Sequence, residues 1–393
     1  MIEINKKQDC CGCTACAAIC PKDAIVMKED NEGFLYPAVD RNVCVNCRLC
    51  EQVCPIKNYR SKSSNPEQKA AIVQNKDQNI CRQSTSGGAF TPIAEYVIDR
   101  GGIVFGVTID DTYLVKHIGV TNKEDLEKFR NSKYVQSNMG DTYKSVKHNL
   151  EKGTLVCFSG TPCQIEGLLG YLRKSYDNLI LVDVVCRAVP SPGVWRKYID
   201  METSSRGECT VRFRDKTLGY QYSKMEIKDE NGLVPRGGIE SQPWLRMFFS
   251  GMIIRPSCTV CHFRNRYRSS DFTIWDCFNI SRIDRKFNED VGTTRVLIHS
   301  KKGEKIFEEI RDKFKCEMIS CEKAVEGVRE MEMSPDMNEK HAEFFYDYSQ
   351  LSMEELLEKY FPTTVKVKLK KNVRLILNRL GLDKTVKHIM KKG

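Results

Sequence analysis

TLVCFSGTPCQIEGLLGYL, residues 154–172, decides the fold class of the body of this chain. Residues 154–158 are a short, almost wholly apolar run behind Lys152-Gly153, the pattern of a buried strand. Thr161-x-x-Gln164 is a capping-box pattern with Pro162 at the first helical position, and Ile165, Leu168, Leu169 and Leu172 recur at helical spacing. A strand therefore runs through a tight turn into a helix that begins at Pro162. Cys163 sits at that helix start, where backbone N–H groups and the helix dipole favour a thiolate. A thiolate there serves equally as a nucleophile or as a metal ligand, and the turn alone does not choose.

The same alternation extends outward. Strand candidates at 70–73, 103–109, 154–158 and 179–185 are followed by helical patterns at 89–100, 123–130, from Pro162, and at 191–200. This predicts an α/β body, α+β over the whole chain, built on a mixed or parallel sheet. Segments 210–214 and 220–228 read as a strand pair. The expected divisions are a cysteine-rich module at 1–57, a polar linker at 58–69, a body in two parts at 70–150 and 151–345, and C-terminal helices with a basic amphipathic tail at 346–393.

With 393 residues, 41% hydrophobic and 29% charged, the composition is that of an ordinary soluble protein with room for two or three cores. No apolar run approaches bilayer length, and MIEINKKQDC lacks the apolar segment of a signal peptide, so the cytoplasm is the expected compartment. Disulfides are disfavoured there, and 19 cysteines read more naturally as metal ligands.

Two runs carry most of that expectation: Cys10-x-x-Cys13-x-x-Cys16-x-x-x-Cys20-Pro21 and Cys44-x-x-Cys47-x-x-Cys50-x-x-x-Cys54-Pro55. This is the spacing of a bacterial two-cluster ferredoxin domain, given twice. Three thiolates two residues apart wrap one corner of an iron–sulfur cube, while the fourth, before proline, points to the other cube. Cys10, Cys13, Cys16 and Cys54 are thus assigned to one 4Fe-4S cluster, and Cys44, Cys47, Cys50 and Cys20 to the second; Cys11 is left over. Zinc favours two separated pairs over one dense run of four. Between the runs, AIVMKED and FLYPAVD read as strands around a turn at 30–33.

Four more cysteines occupy turn-like places in the body: Cys163, Cys186 at the end of LILVDVVC, and Cys258-x-x-Cys261. They are enough for a third metal site, although a zinc site or unrelated core thiols share the pattern. Ser84-Thr85-Ser86-Gly87-Gly88 stands before a helix, where its backbone N–H groups fit a phosphate and equally fit a plain helix cap. It is neither a Walker loop nor G-x-G-x-x-G. NSKYVQS, 131–137, offers a cation and an aromatic ring, as a solvated loop also would.

Arg82-x-x-x-Ser86-Gly87-Gly88, SKYVQS (132–137), SGTPCQ (159–164), DVVCRAVPSPGVWRKY (183–198) and RPSCTVCHFRNRYRSSDFTI (255–274) together resemble the family of coenzyme F420 hydrogenase/dehydrogenase beta subunits, in order from about residue 70 to about 345. The resemblance implies a flavoprotein body holding FAD and a third 4Fe-4S cluster. On that basis Cys163, Cys186, Cys258 and Cys261 hold the cluster, and Ser86, Gly87, Gly88, Lys133, Tyr134, Gln136, Gly160, Thr161 and Pro162 contact the flavin. The chain departs from the family in DFTIWDCFN (271–279), where Trp275 and Asn279 replace glycines, and at Arg187, where relatives often carry histidine. Those departures bear on coenzyme F420 as substrate more than on the flavin.

The function expected is an FAD- and iron–sulfur-dependent oxidoreductase that exchanges electrons with a redox partner such as a soluble ferredoxin and acts on an organic small-molecule substrate. The alternative is an electron-transfer subunit with no substrate site of its own. Bacterial relatives with this layout suggest a cell-surface polysaccharide pathway. No catalytic acid or base stands out; His262, beside Cys261, is the one histidine worth testing. The tail from Val365 carries ten Lys/Arg and one acid, leaving the rest of a chain of net charge +10 nearly neutral. Leu369, Val373, Ile376, Leu377 and Leu380 fall on one helical face; Gly381 is expected to break the run, and Asp383 can cap a second short helix with Val386, Ile389 and Met390. A basic amphipathic helix suits an anionic membrane surface at the cytoplasmic side, and equally a dock on the body. Without an aromatic side chain for stacking, the tail does not suggest nucleic acid.

Overall fold

The computed structural model describes residues 1–205, 207–232, 237–278, 280–287 and 290–379. Asn279, Leu380 and the short helix expected beyond Gly381 lie outside the described residues.

The N-terminal module contains one antiparallel hairpin, β1 (Ile25–Glu29) with β2 (Leu35–Val39), as the two apolar runs around the 30–33 turn require. Asp30 closes the turn: its Oδ1 accepts from Glu32 N at 3.0 Å and Phe34 N at 2.9 Å, an Asx-type arrangement. The cysteine runs wrap short helices at Ala15–Ala18 and Leu49–Gln52.

The body is one mixed sheet of eight strands: β3 (Lys69–Asn75), β4 (Ile103–Ile109), β5 (Val115–Val120), β6 (Val156–Gly160), β7 (Leu179–Val184), β10 (Phe272–Asp276), β11 (Thr294–Ile298) and β12 (Phe314–Ile319). Its order is β12-β3-β11-β10-β7-β6-β4-β5. Strands β4, β6, β7 and β10 are parallel, while β5, β11 and β12 pair antiparallel. Strands β8 (Thr210–Asp215) and β9 (Lys224–Lys228) form the separate antiparallel pair that their sequence predicts.

Alternate strand residues face two helical layers. Val104, Cys157, Ile180 and Val182 meet Ile93 and Val97 of helix Phe90–Ile98 and Ile306 and Phe307 of helix Lys301–Ile310. Phe105, Phe158 and Leu181 meet Val146 of helix Thr142–Glu151 and Ile165 and Leu168 of helix Pro162–Leu172. Each such side chain, fully buried, stabilises the fold by roughly 1.5–3 kcal/mol. The capping box is formed as the sequence predicts, with Gln164 Oε1 accepting from Thr161 N at 2.9 Å. Residues 123–130, expected as an α-helix, instead form a 3-10 helix, Glu124–Phe129, in which Leu126 is the buried residue.

Cys11, Cys13, Ala15 and Val53 of the module belong to the same apolar core as Ile165 and Leu168. The hairpin turn docks as well: Gly193 N donates to Gly33 O at 3.2 Å, Ser191 Oγ to Glu32 O at 2.5 Å, and Arg196 pairs with Glu29. Gly33 has φ +76°, and a Cβ there would lie 2.5 Å from Gly193 Cα. Gly33→Ala is therefore expected to loosen the dock and cost about 1–3 kcal/mol through overpacking, read as a lower unfolding midpoint and faster proteolysis between 58 and 69. No helix among the described residues is long and apolar enough to cross a membrane.

Candidate functional site

Because β3, β4, β6, β7 and β10 run the same way, their carboxyl ends share one edge of the sheet, the edge where open α/β sheets place ligands. Gly160, the approach to Cys186, Asp276 and the loop behind Asn75 all lie on it.

Three cysteine groups line up toward that edge. The outermost is Cys20, Cys44, Cys47 and Cys50, which line a single hollow with Pro21, Ile25 and Leu49. Cys50 Sγ accepts from Ile2 N at 3.2 Å and Cys20 Sγ from Ala24 N at 3.3 Å, while Cys47 is exposed. The second group is Cys10, Cys13, Cys16 and Cys54. Burial, then Cys10 and Cys54, push the Cys16 thiol up to about 12, and Cys54 in turn feels Cys10. The third group joins Cys163 at its helix start, Cys186 beyond β7, and Cys258 and Cys261 in and after the 3-10 turn Pro256–Val260. Burial, then Cys258, Cys163 and Cys261, raise the Cys186 thiol; Cys258 is pushed up to about 12 by burial and by Cys163 and Cys261.

Buried thiols that raise one another are poor isolated nucleophiles and good metal ligands, since a cationic centre replaces the protons they otherwise keep. Among the described residues no three Cys, His, Asp or Glu side chains converge on a point as the ligands of a single ion do. In the outer group four thiols line one hollow, an arrangement that suits a cube in which each binds its own iron. The sequence suggested a stabilised thiolate at Cys163. The fold reverses this: contact with the Cys11 thiol and burial raise Cys163, and the Thr161 hydroxyl 3.2 Å from its Sγ opposes them only in part.

Cys11, unassigned by spacing, is buried between the second and third groups, touching both Cys13 and Cys163. Helix Pro162–Leu172 comes close there as well: a Cβ on Gly167 would lie 3.0 Å from Cys13 Sγ.

The residues expected at a flavin are placed as follows. Ser86 Oγ meets Thr294 Oγ1 at 2.8 Å, and Gly87 N donates to the same Thr294 oxygen at 2.8 Å. A Cβ on Gly87 would be 2.5 Å from Val73 O, so this loop lies tight against β3; Gly88 has φ +75°. Lys133 Nζ donates to Lys128 O at 2.7 Å and Arg130 O at 2.9 Å. The Tyr134 ring packs on Phe213, Phe248 and Phe249, and its hydroxyl accepts from Arg214 Nη1 at 3.2 Å. Gly160, Thr161 and Pro162 form the turn beside Cys163. Gln136 faces the module instead, donating to Cys11 O at 3.0 Å. His262 is exposed.

Sequence reasoning missed the cations next to this loop. Arg212 and Arg214 on β8 and Lys216 just past its end alternate along VRFRDK, and this spacing was the available signal. Arg212 Nη2 donates to Gln83 O at 3.2 Å, and Lys216 Nζ to Ser86 O and Val291 O at 2.8 Å. Burial, with Arg212 nearby, lowers Lys133 to about 7; burial also lowers Lys216 to about 8, with Arg214 and Arg212 adding to the effect. Asp276, 3.5 Å from Arg214, is a carboxylate facing this group. Arg130 Nε, Arg212 Nε and Arg214 Nη2 are buried with no hydrogen-bond partner among the described residues. Clustered cations with donors orphaned among the described residues fit a bound anion such as a diphosphate, with Tyr134 and the stacked Tyr220–Phe278 pair supplying aromatic surface. Tyr134 and Phe249 also share an apolar cluster with Cys258, which ties this region to the third cysteine group. A broad open groove lined by Asn65, Gln68, Arg266, Tyr267 and Met318 lies at the opposite edge of the sheet.

The fold and its cysteines define an iron–sulfur electron-transfer protein. Residues 153–324 match the family model for the C terminus of the coenzyme F420 hydrogenase/dehydrogenase beta subunit, and residues 9–58 match the 4Fe-4S dicluster domain. The chain thus carries a domain of the kind that ends these beta subunits, at residues 153–324, behind a 4Fe-4S dicluster domain at residues 9–58. It is 25% identical over 190 residues to the F subunit of the F(420)H(2) dehydrogenase of Methanosarcina mazei, covering 46% of this chain and 53% of that protein. It thus spans about half the length of that relative. It is 34% identical over 64 residues to a ferredoxin 7Fe of Hydrogenibacillus schlegelii, covering 16% of this chain and 76% of that one. A chain of the F420-reducing [NiFe] hydrogenase complex from Methanosarcina barkeri overlays distantly, with TM-score 0.45 and 16% identity over 77% of this chain and 94% of that chain.

Proposed function

We propose that the protein is an FAD-dependent oxidoreductase in which the three cysteine groups each hold a 4Fe-4S cluster and convey electrons between an outside redox protein and a flavin at the carboxyl edge of the sheet. The observation that carries this reading is the ordered placement of the sites. The Cys20/Cys44/Cys47/Cys50 hollow is at the surface, the Cys10 group is next, and the Cys163 group lies beside the cationic, aromatic region around Arg214 and Tyr134. A flavin exchanges electron pairs with organic molecules and single electrons with clusters, so the two together convert one kind of transfer into the other.

The chain's own residues have separable tasks. Exposed Val43 and Val45, with Lys22 and Arg48 near the outer hollow, offer an apolar and basic face to an acidic redox partner such as a soluble ferredoxin. Arg212, Arg214 and Lys216 would hold the flavin diphosphate, and the Gly160–Thr161–Pro162 turn would hold the ring side next to Cys163. Anaerobic purification with iron, sulfide and flavin analysis tests the reading: about twelve irons and one FAD per chain are expected, whereas about eight irons without flavin sink it. A full cofactor set that forms a stable complex but turns over no small molecule points instead to an electron-transfer subunit.

The tail adds a location. Helix Val365–Arg379 carries exposed Val365, Leu369, Val373 and Ile376 at spacings of four, four and three, among lysines and without an acid. Arg374 ties it to the body through Glu240 at 2.5 Å and the Tyr222 ring at 4.7 Å. The remaining apolar stripe and its positive flank suit an anionic membrane surface, each Lys or Arg adding on the order of 1 kcal/mol near it. Deleting 365–393 should abolish flotation with phosphatidylserine vesicles; unchanged flotation would refute surface binding.

A further inference from the structure

Arg255 is a fully buried cation, yet among the described residues no carboxylate pairs with it. Its guanidinium reaches into the N-terminal module. Nε donates to Cys10 O at 2.8 Å, and Nη2 to Leu35 O at 2.9 Å and toward Cys10 Sγ at 3.5 Å. Nη1 donates to Gln136 Oε1 at 2.9 Å, and the Gln136 amide donates in turn to Cys11 O. The plane lies 4.3 Å from the Tyr36 ring centroid and 5.2 Å from that of Phe34. Gly12 is what admits this approach: at φ +69°, a Cβ there would be 2.6 Å from Gln136 Nε2 and 2.7 Å from Arg255 Nη1.

The same residue builds the third cysteine group through its backbone. Arg255 N donates to Val189 O at 2.9 Å beside the Pro190–Ile254 bridge, and Arg255 O accepts from Cys258 N at 2.9 Å, opening the turn that carries Cys258. One residue thus holds the Cys10 loop with its side chain and the Cys258 turn with its main chain. A buried charge needs compensation, and the groups that face this one are cysteines: Cys10, Cys11 and Cys258, with the Tyr36 ring.

We infer that Arg255 is the positioning residue that couples the inner ferredoxin-type site to the body site, fixing Cys10 relative to Cys258 and placing an uncompensated positive charge against Cys10. Cluster potential depends on net charge, hydrogen bonds to sulfur and exposure. A cation fixed in a dry site favours the more negative, reduced form of what Cys10 binds. The cations that line the hollow of the Cys44 group, Lys22 and Arg48, are exposed, so solvent and salt screen them as they do not screen Arg255. The consequence is a gradient that draws an electron inward from the outer to the inner ferredoxin-type site.

This rests on the cluster reading above. The test is a redox titration followed by electron paramagnetic resonance on the full chain in the Cys163→Ser background, where only the two ferredoxin-type centres remain. Arg255→Gln should shift one of the two potentials negative at unchanged iron, and Arg255→Lys should recover most of that shift. Gln136→Glu, which supplies a carboxylate to Arg255 and leaves the arginine in place, should shift the same centre negative. It decides the matter if Arg255→Gln fails to retain iron. Equal potentials in the iron-loaded variants and their parent overturn the inference. Absence of clusters in the parent overturns the reading beneath it.

Discussion

Cys163→Ser is expected to lower the iron content from about twelve to about eight atoms per chain while leaving the ferredoxin-type pair intact, since each 4Fe-4S cluster needs its four thiolates. The change is nearly isosteric: the capping box of Thr161 with Gln164 is retained, and a serine hydroxyl can take over the contact that Thr161 Oγ1 makes with Sγ at 3.2 Å. The helix should therefore form as before. What is lost is a single sulfur facing Cys186, Cys258 and Cys261. Were Cys163 a nucleophile, the iron count would stay near twelve and only turnover would fall. Cys11→Ser is the matched control. It removes a buried thiol touching Cys163 but outside all three groups of four, so the iron count should hold. Loss of four irons in both variants would mean that Cys11 is itself a ligand and that the groups are drawn wrongly.

How much of this was legible in the sequence depended on whether the signal was local. The Thr161-Pro162-Gln164 start and the β1–β2 turn each lie within a dozen residues, and each forms as written. The sheet's far side did not announce itself. Strand β3 is flanked by β11 and β12, more than 200 residues downstream, and nothing near 294–298 or 314–319 says which strand will accept them. Gln136 is the sharper lesson. Its neighbours Lys133 and Tyr134 face the cationic loop, and shared motif position placed it with them. The chain turns between Tyr134 and Gln136, as Gln136 N pairs with Pro190 O, and the side chain is delivered to Cys11 and Arg255. Arg212, Arg214 and Lys216 show the converse. Their alternation was readable, but only folding brings β8 against the 83–86 loop and makes the charges a site.

Arg214→Gln is expected to weaken FAD binding by roughly 10- to 150-fold, the equivalent of losing a charged hydrogen bond of about 1.5–3 kcal/mol. Arg214 is buried, its Nη2 has no partner among the described residues, and its other nitrogens are held by Ser223 Oγ at 2.6 Å, Tyr134 OH and Asp276. A fork fixed on one side with a donor left open on the other is prepared for a ligand oxygen and little else. Glutamine keeps a polar group near Tyr134 and Ser223 but removes the charge and the fork. Asp276 keeps its bond from Tyr220 OH at 2.9 Å, so its carboxylate is not left without a donor. Titrating flavin-stripped protein with FAD by fluorescence quenching reads the affinity. Iron content should not change, because Arg214 touches none of the cysteine groups. Arg214→Lys, which restores the charge without the fork, should recover only part of the loss. If Arg214→Gln binds FAD as tightly as the parent chain, the open donors serve another anion, and the flavin must be sought nearer the Gly160–Pro162 turn.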